Sequence, residues 1–213
     1  MDIEHIAVIG AGTMGGGIAQ ISATAGCQVT LVDISADQLR RALRSIERSV
    51  AKLHSKGRLD DQQRDAALQN TATTTELEPV ADADFVVEAV VEKLEVKRKI
   101  FQQLDELTRP QVILSSNTSS ISLTELGAAT KRPDRVIGMH FMNPVPLMRL
   151  VEVIRGLDTS DQTTETTVDL AKGLGKSPVE AHDYPGFISN RILCPMLNEA
   201  AYALMEGVGT REA

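Results

Sequence analysis

His140 follows the apolar run Val136-Ile137-Gly138-Met139 and precedes Phe141-Met142-Asn143-Pro144, a segment stiffened by Pro144 and Pro146. In an open parallel sheet, ligands bind beyond the carboxyl ends of the strands, so a histidine placed there points to chemistry. Its ordinary pKa of about 6.5 suits it to take a proton from an alcohol or return one to a ketone. Glu152 interrupts the apolar run Val151 to Ile154. It is a candidate partner that orients the ring and stabilises its protonated form. The competing reading puts Glu152 on the solvent face of an alternating strand. Glu88, Ser119 and Asn143 fall at or just beyond other strand ends.

A second constellation is Gly10-Ala11-Gly12-Thr13-Met14-Gly15, between the apolar strand His5 to Ile9 and a helical pattern of Ile18, Ile21 and Ala25 that stops at Gly26. Gly10 permits a tight turn, Gly12 lets backbone approach a pyrophosphate, and Gly15 lets helix and strand pack closely. The phosphates would rest on unsatisfied amides at the helix N-terminus. Asp33 ends the next strand, Val29 to Val32. Its carboxylate would bond the ribose hydroxyls and repel a 2′-phosphate, which favours NAD over NADP. The glycine motif alone also leaves a flavin open. His5, His54, His140 and His182 form no metal-ligand spacing, so no metal is expected. There is no phosphate loop of the ATPase type.

These residues need a sheet to hold them. At 213 residues with 42% hydrophobic composition, the chain can bury a full α/β core. Its net charge of −7 gives no reason to expect nucleic acid, and no apolar run is long enough for a membrane span. Cys27 and Cys194 suggest neither a disulfide framework nor a metal knuckle, and with no basic leader before the first strand a reducing cytoplasm is expected. Further strands are expected at Thr71 to Thr75, Phe85 to Val87, Val112 to Leu114, Val136 to Met139, Val151 to Ile154 and from Pro178. The Val151 to Ile154 strand is expected to have one exposed face. A charged helix over 36–56, with the stripe Leu39, Leu43, Ile46, Val50 and Leu53, is expected to project from the sheet. Gly57 ends it, and Asp60 can cap the next helix. Another helix covers 161–172. The segment Asp183-Tyr184-Pro185-Gly186 is the best linker, after which the pattern is purely helical through Met205. The reading is α/β: a Rossmann-type, mostly parallel sheet domain over 1–183, then the start of an all-helical domain over 184–213.

The segments IAVIGAGTMGGGIAQ, DFVVEAVVEKLEVKRKIF, SSNTSSISLTEL, RVIGMHFMNPVPLMRLVEVIRG and PGFISNRILCPMLNEA together resemble the short-chain 3-hydroxyacyl-CoA dehydrogenase family, over essentially the whole chain. The resemblance implies reversible NAD-dependent oxidation of an (S)-3-hydroxyacyl-CoA, of short chain such as 3-hydroxybutyryl-CoA, to the 3-oxoacyl-CoA. It implies His140 as general base and acid, Glu152 as its partner, and Ser119 and Asn190 around the reacting oxygen. It puts Glu88, Lys93, Asn117 and Asn143 with Gly10, Gly12, Thr13, Met14, Gly15 and Asp33 in the cofactor set, and Ser49 and Lys56 at the CoA portion. Met142 and Ser189 depart from the residues common in the family, which bears on acyl length more than on reaction type. Two other functions remain open: a related hydroxyacid dehydrogenase that needs no CoA, and a silent NAD-binding protein.

The segment Gly186 to Met205 has an apolar surface at helical intervals, with Pro195 expected to kink it or interrupt its bonding. Gly207 reads as a helix stop and Thr210 as the cap of another helix. One helix does not make a layer, so the expectation is an incomplete form of a longer, homodimeric enzyme. The alternative is that this helix packs wholly onto the first domain.

Overall fold

Apolar runs too short for helices become the strands of one sheet. The computed structural model describes residues 3–213; Met1 and Asp2, which open the expected first domain, lie outside the described residues. The strands are β1 (His5–Ile9), β2 (Gln28–Val32), β3 (Thr71–Thr74), β4 (Phe85–Glu88), β5 (Ile113–Ser116), β6 (Val136–Phe141), β7 (Leu150–Arg155) and β8 (Ser177–His182). They order as β3-β2-β1-β4-β5-β6-β7-β8, and every neighbouring pair is parallel except β6 and β7. The helices are α1 (Thr13–Thr24), α2 (Ala36–Ser55), α3 (Asp61–Gln69), α4 (Leu94–Leu107), α5 (Leu123–Gly127), α6 (Asp161–Gly173) and α7 (Ser189–Met205). The fold is a Rossmann-type sheet layer followed by a helical segment.

Alternation along the strands feeds two cores. Ile6 and Val8 face one containing Ile18 of α1, Ile46 of α2 and Ala67 of α3, whereas Ala7 and Ile9 face another containing Phe101 of α4 and Leu126 of α5. The strand order reverses between β1 and β4, and this switch point opens the crevice where ligands bind. Side-chain caps fix the helix starts: Ser35 accepts from Gln38, and Asp60 forms a reciprocal capping box with Gln63.

Three expectations change, and one alternative falls. First, α2 does not stand free of the body; Leu39, Ala42, Ile46 and Val50 are buried, and the helix packs on α1 and α3. Ala42 occupies the stripe position assigned to Leu43, because the small side chain lets the helices approach. Second, β6 runs through His140 to Phe141, so His140 lies inside the strand. Third, Val151 to Ile154 are all buried, because α6 covers one face of β7 and α5 the other. The alternative in which α7 packs wholly onto the first domain falls, because no residue of that helix is buried. It runs unbroken through Pro195, which removes one amide donor without ending the helix. Gly207, at φ 75°, closes α7 with Val208 N donating to Ala203 O and Gly207 N to Leu204 O. Thr210 Oγ1 accepts from Ala213 N, the bond an N-cap makes.

Candidate active site

His140 and Glu152 are brought together by register. They are directly opposed across the antiparallel β6–β7 pair, so both side chains leave the same face of the sheet. His140 Nδ1 donates to Glu152 Oε2 at 2.7 Å, and the residues are only 6% and 1% exposed. Glu152 therefore does not face solvent. With Nδ1 carrying the proton, Nε2 is the free nitrogen, and Ser119 Oγ lies 3.0 Å from it. Phe187 packs edge-on to the imidazole with ring centres 5.7 Å apart. Its φ of 49° is strained for a bulky side chain, at a cost of about 1–3 kcal/mol, and holds the ring over the dyad.

Glu152 has further donors. Ile188 N and Ser189 N reach Oε1 at 3.0 and 2.8 Å, and Ser189 Oγ reaches Oε2 at 2.8 Å. The start of α7 has no cap from its own side chains, and Glu152 satisfies its first amides instead. Burial pushes the Glu152 carboxyl up, but bonds from His140, Ser189 and Ile188 outweigh it and hold it below its ordinary range. One carboxylate thus joins the dyad to the helix that carries Asn190.

Glu88 is not at the crevice surface. It is the last residue of β4, paired with Ile9 and Ser116, and the side chain is fully buried. Its carboxylate accepts from Lys97 Nζ and Val90 N at 2.7 Å and from Ser116 Oγ at 2.6 Å. Lys97, 1% exposed, also lies 3.3 Å from Glu92 Oε2. Glu92 Oε1 in turn accepts from Thr118 Oγ1 at 2.5 Å, Ser119 N at 2.9 Å and Ser120 N at 3.2 Å. Burial raises the Glu92 carboxyl, but Thr118, Lys97 and Ser119 bring it below its ordinary range. A continuous polar chain therefore links β4 to the backbone amide of Ser119, the residue whose hydroxyl meets His140. Glu92, Lys97 and Phe187 escaped the sequence reading. The available signal was Lys97 itself, which shares one face of α4 with buried Phe101 and Leu104. Lys97→Met leaves two carboxylates without their cation, and breaking such a buried pair is expected to cost about 3–5 kcal/mol. The urea midpoint measures this.

The crevice beside β1 and β4 fits a dinucleotide. A cleft of about 810 Å³ is lined by Gly10, Gly12, Thr13, Met14, Asp33, Val91 and Ile100, among others. The first turn of α1 has neither a capping side chain nor an acidic residue, leaving its amides for an anion. A Cβ on Gly12 would meet nothing within 4 Å, so internal packing does not demand glycine there. The demand comes from outside, where a side chain would fill the cradle. Asp33 is anchored by Ala11 N to Oδ2 at 2.8 Å and Ser35 N to Oδ1 at 2.9 Å. Asn117 Oδ1 accepts from Phe141 N at 2.9 Å, tying the end of β5 beside His140. Lys93 is exposed at the N-cap of α4, away from the Glu88 carboxylate that Lys97 occupies.

Two further clefts flank these groups. One of about 440 Å³ between α1 and α2 is lined by Ser49, Arg41, Arg44, Arg48 and Asn143. Lys56 is the exposed C-cap of α2, about 10 Å further along the helix than Ser49. The other, about 470 Å³, is lined by Ser119, Asn190, Arg191, Cys194, Pro185 and Pro195. Asn190 is thus brought to Ser119, on the Nε2 side of His140. Ser189 bonds Glu152, so its departure from the family pattern falls on a residue that touches the dyad. Among the described residues, no cluster of histidine, cysteine or acidic groups could hold a metal, and no helix is long and apolar enough to cross a membrane.

The profile of the family described as "3-hydroxyacyl-CoA dehydrogenase, NAD binding domain" matches residues 5–184. A probable 3-hydroxybutyryl-CoA dehydrogenase of Deinococcus radiodurans is 52% identical over 97% of this chain and 74% of its own length. The 3-hydroxybutyryl-CoA dehydrogenase of Bradyrhizobium diazoefficiens is 50% identical over 99% of this chain and 72% of its own. The crystal structure of an (S)-3-hydroxybutyryl-CoA dehydrogenase from Ralstonia eutropha superposes with a TM-score of 0.96 at 45% identity, over 99% of this chain and 75% of that one.

Proposed function

The chain belongs to the 3-hydroxyacyl-CoA dehydrogenase family, and from that premise we propose reversible oxidation of a short-chain (S)-3-hydroxyacyl-CoA with His140 as base. The observation that carries the reading is the buried dyad with its free Nε2 facing Ser119. NAD bound in the Asp33 cleft supplies the hydride acceptor. Every other step belongs to the chain's own side chains. His140 Nε2 takes the substrate hydroxyl proton as the C3–H bond breaks, and Glu152 stabilises the imidazolium. Ser119 and Asn190 hold the oxygen between them. In reduction, protonated His140 returns the proton to the ketone oxygen. Phe187 covers the ring and keeps water from competing for it.

The α1–α2 cleft supports a CoA thioester. Arg41, Arg44 and Arg48 give a local positive row beside Ser49 on a chain of net charge −7, which suits phosphates at close range. The cleft walled by Pro185 and Pro195 lies beside Ser119 and Asn190, which supports placing the acyl group there. Asp33 supports NAD over NADP. The exposed row Ile192, Met196 and Leu197 on α7 supports a homodimer in which further protein covers that helix, with the sheet layer as one domain over 1–183 and α7 opening a second over 184–213. The two free cysteines suit a reducing cytoplasm.

A screen of 3-oxoacyl-CoA lengths, read by NADH oxidation with NADPH and free acetoacetate as controls, tests the reading. The expected result is highest kcat/KM with acetoacetyl-CoA and NADH. Preference for the free acid would move the chain to the hydroxyacid dehydrogenases, and preference for NADPH would remove Asp33 from its role.

A further inference from the structure

Ser189 grips both oxygens of the dyad carboxylate. Its hydroxyl lies 2.8 Å from Glu152 Oε2, the oxygen that also takes the His140 Nδ1 proton, and its amide lies 2.8 Å from Oε1. A carboxylate oxygen shared by two donors divides its charge between them, so what the hydroxyl draws is withdrawn from the ring. The pair is shut away from solvent, with Glu152 1% exposed, and a low local dielectric strengthens each of these bonds. We infer that Ser189 is a positioning residue of the dyad, fixing the Glu152 carboxylate and setting how much negative charge it presents to His140. The inference rests on the dehydrogenase reading above.

The surroundings leave this hydroxyl as the adjustable donor. On β8, the residue opposite Glu152 is apolar Val179. From the loop after β5 comes Ser119, on the far nitrogen of the ring, with Glu92 on its amide and Lys97 beyond Glu92. On α7, Arg191 borders the Ser119 cavity. Among the described residues, none of these donates to Glu152; the remaining donors are the His140 ring and the Ile188 and Ser189 amides. The amides survive any side-chain replacement other than proline.

The sign of the effect follows. Removing the hydroxyl returns charge to Oε2, favours imidazolium and raises the proton affinity of His140. Oxidation needs neutral His140, so its acid limb moves to higher pH. Reduction needs protonated His140, so its alkaline limb moves the same way. Mere loss of packing would lower the plateau and move neither limb.

The experiment uses Ser189→Ala, Ser189→Val and Ser189→Thr in the full-length protein. Nitrogen-15 histidine NMR titration is run with NAD bound, alongside pH profiles in both directions. His140 is assigned by its missing resonance in His140→Gln. For Ala and Val, an upward shift of about 0.5 pH unit is expected in both the titration and the limbs, and Thr should restore wild-type values. If the Val variant fails to fold, Ala carries the test, since it is well tolerated in a helix. A wild type inactive on every 3-oxoacyl-CoA would defeat the functional reading, while the titration would still decide Ser189. A His140 midpoint unmoved or lowered in Ser189→Ala, or a Thr variant that behaves like Ala, overturns the inference.

Discussion

His140→Ala is expected to lower kcat by about 10²- to 10⁴-fold while the Kd for NAD stays within a factor of two or so of wild type. The ring takes the substrate proton, yet the cofactor cleft is lined by Asp33, Gly12 and Val91 and does not include it. The fold should tolerate the change, because Met139 and Phe141, which flank the residue, keep their pairing with Val153 and Val151 of β7. Loss of the ring does leave Glu152 buried, but Ser189 and Ile188 still satisfy three of its bonds. Stopped-flow kinetics and NAD titration by fluorescence separate the two quantities. Near-normal turnover would remove His140 from the chemistry, and a lost NAD affinity would mean the ring shapes the cofactor site.

The second large effect contrasts two glycines of the same loop. A Cβ on Gly15 would sit 1.7 Å from the Gly10 carbonyl oxygen, so backbone must move. Gly15→Ala is expected to lose several kcal/mol of stability and to express poorly, as overpacking without room to relax does. Gly12→Val should fold with a melting temperature near wild type, because a side chain there meets open space. It should nevertheless lose NAD affinity by at least about tenfold, since the side chain occupies the phosphate cradle. Thermal denaturation with and without NAD measures both. Gly12→Val that still gains stability from NAD as wild type does would place the phosphates elsewhere.

Much of this was legible one strand at a time. The glycine loop and Asp33 follow from apolar runs and from what stands at their ends, which are local properties; His140 stands inside β6 and not at its end. The His140–Glu152 partnership is not local. It depends on β7 running antiparallel to β6 in a sheet otherwise parallel, and on a register that opposes these two residues. A shift of one position would have sent Glu152 to the other face. Glu88 does end its strand, as its place after three apolar residues indicates, but its burial beside Ile9 and Ser116 is not a local property. Its buried state is possible only because Lys97 arrives from the next helix, nine residues on. The packing of α2 was misread because Ala42, too small to register in a stripe of leucines, is the residue that lets the helices meet.

In the proposed reaction, hydride leaves C3 of a CoA-bound alcohol in a site organised by the His140–Glu152 pair. The most direct measurement gives the protein NAD and (S)-3-hydroxybutyryl-CoA deuterated at C3, and follows reduced cofactor by absorbance and proton NMR. The expected result is NADH formation with deuterium at nicotinamide C4, and both signals nearly absent with the (R)-substrate. Unlabelled NADH, or equal rates with the two enantiomers, would contradict it.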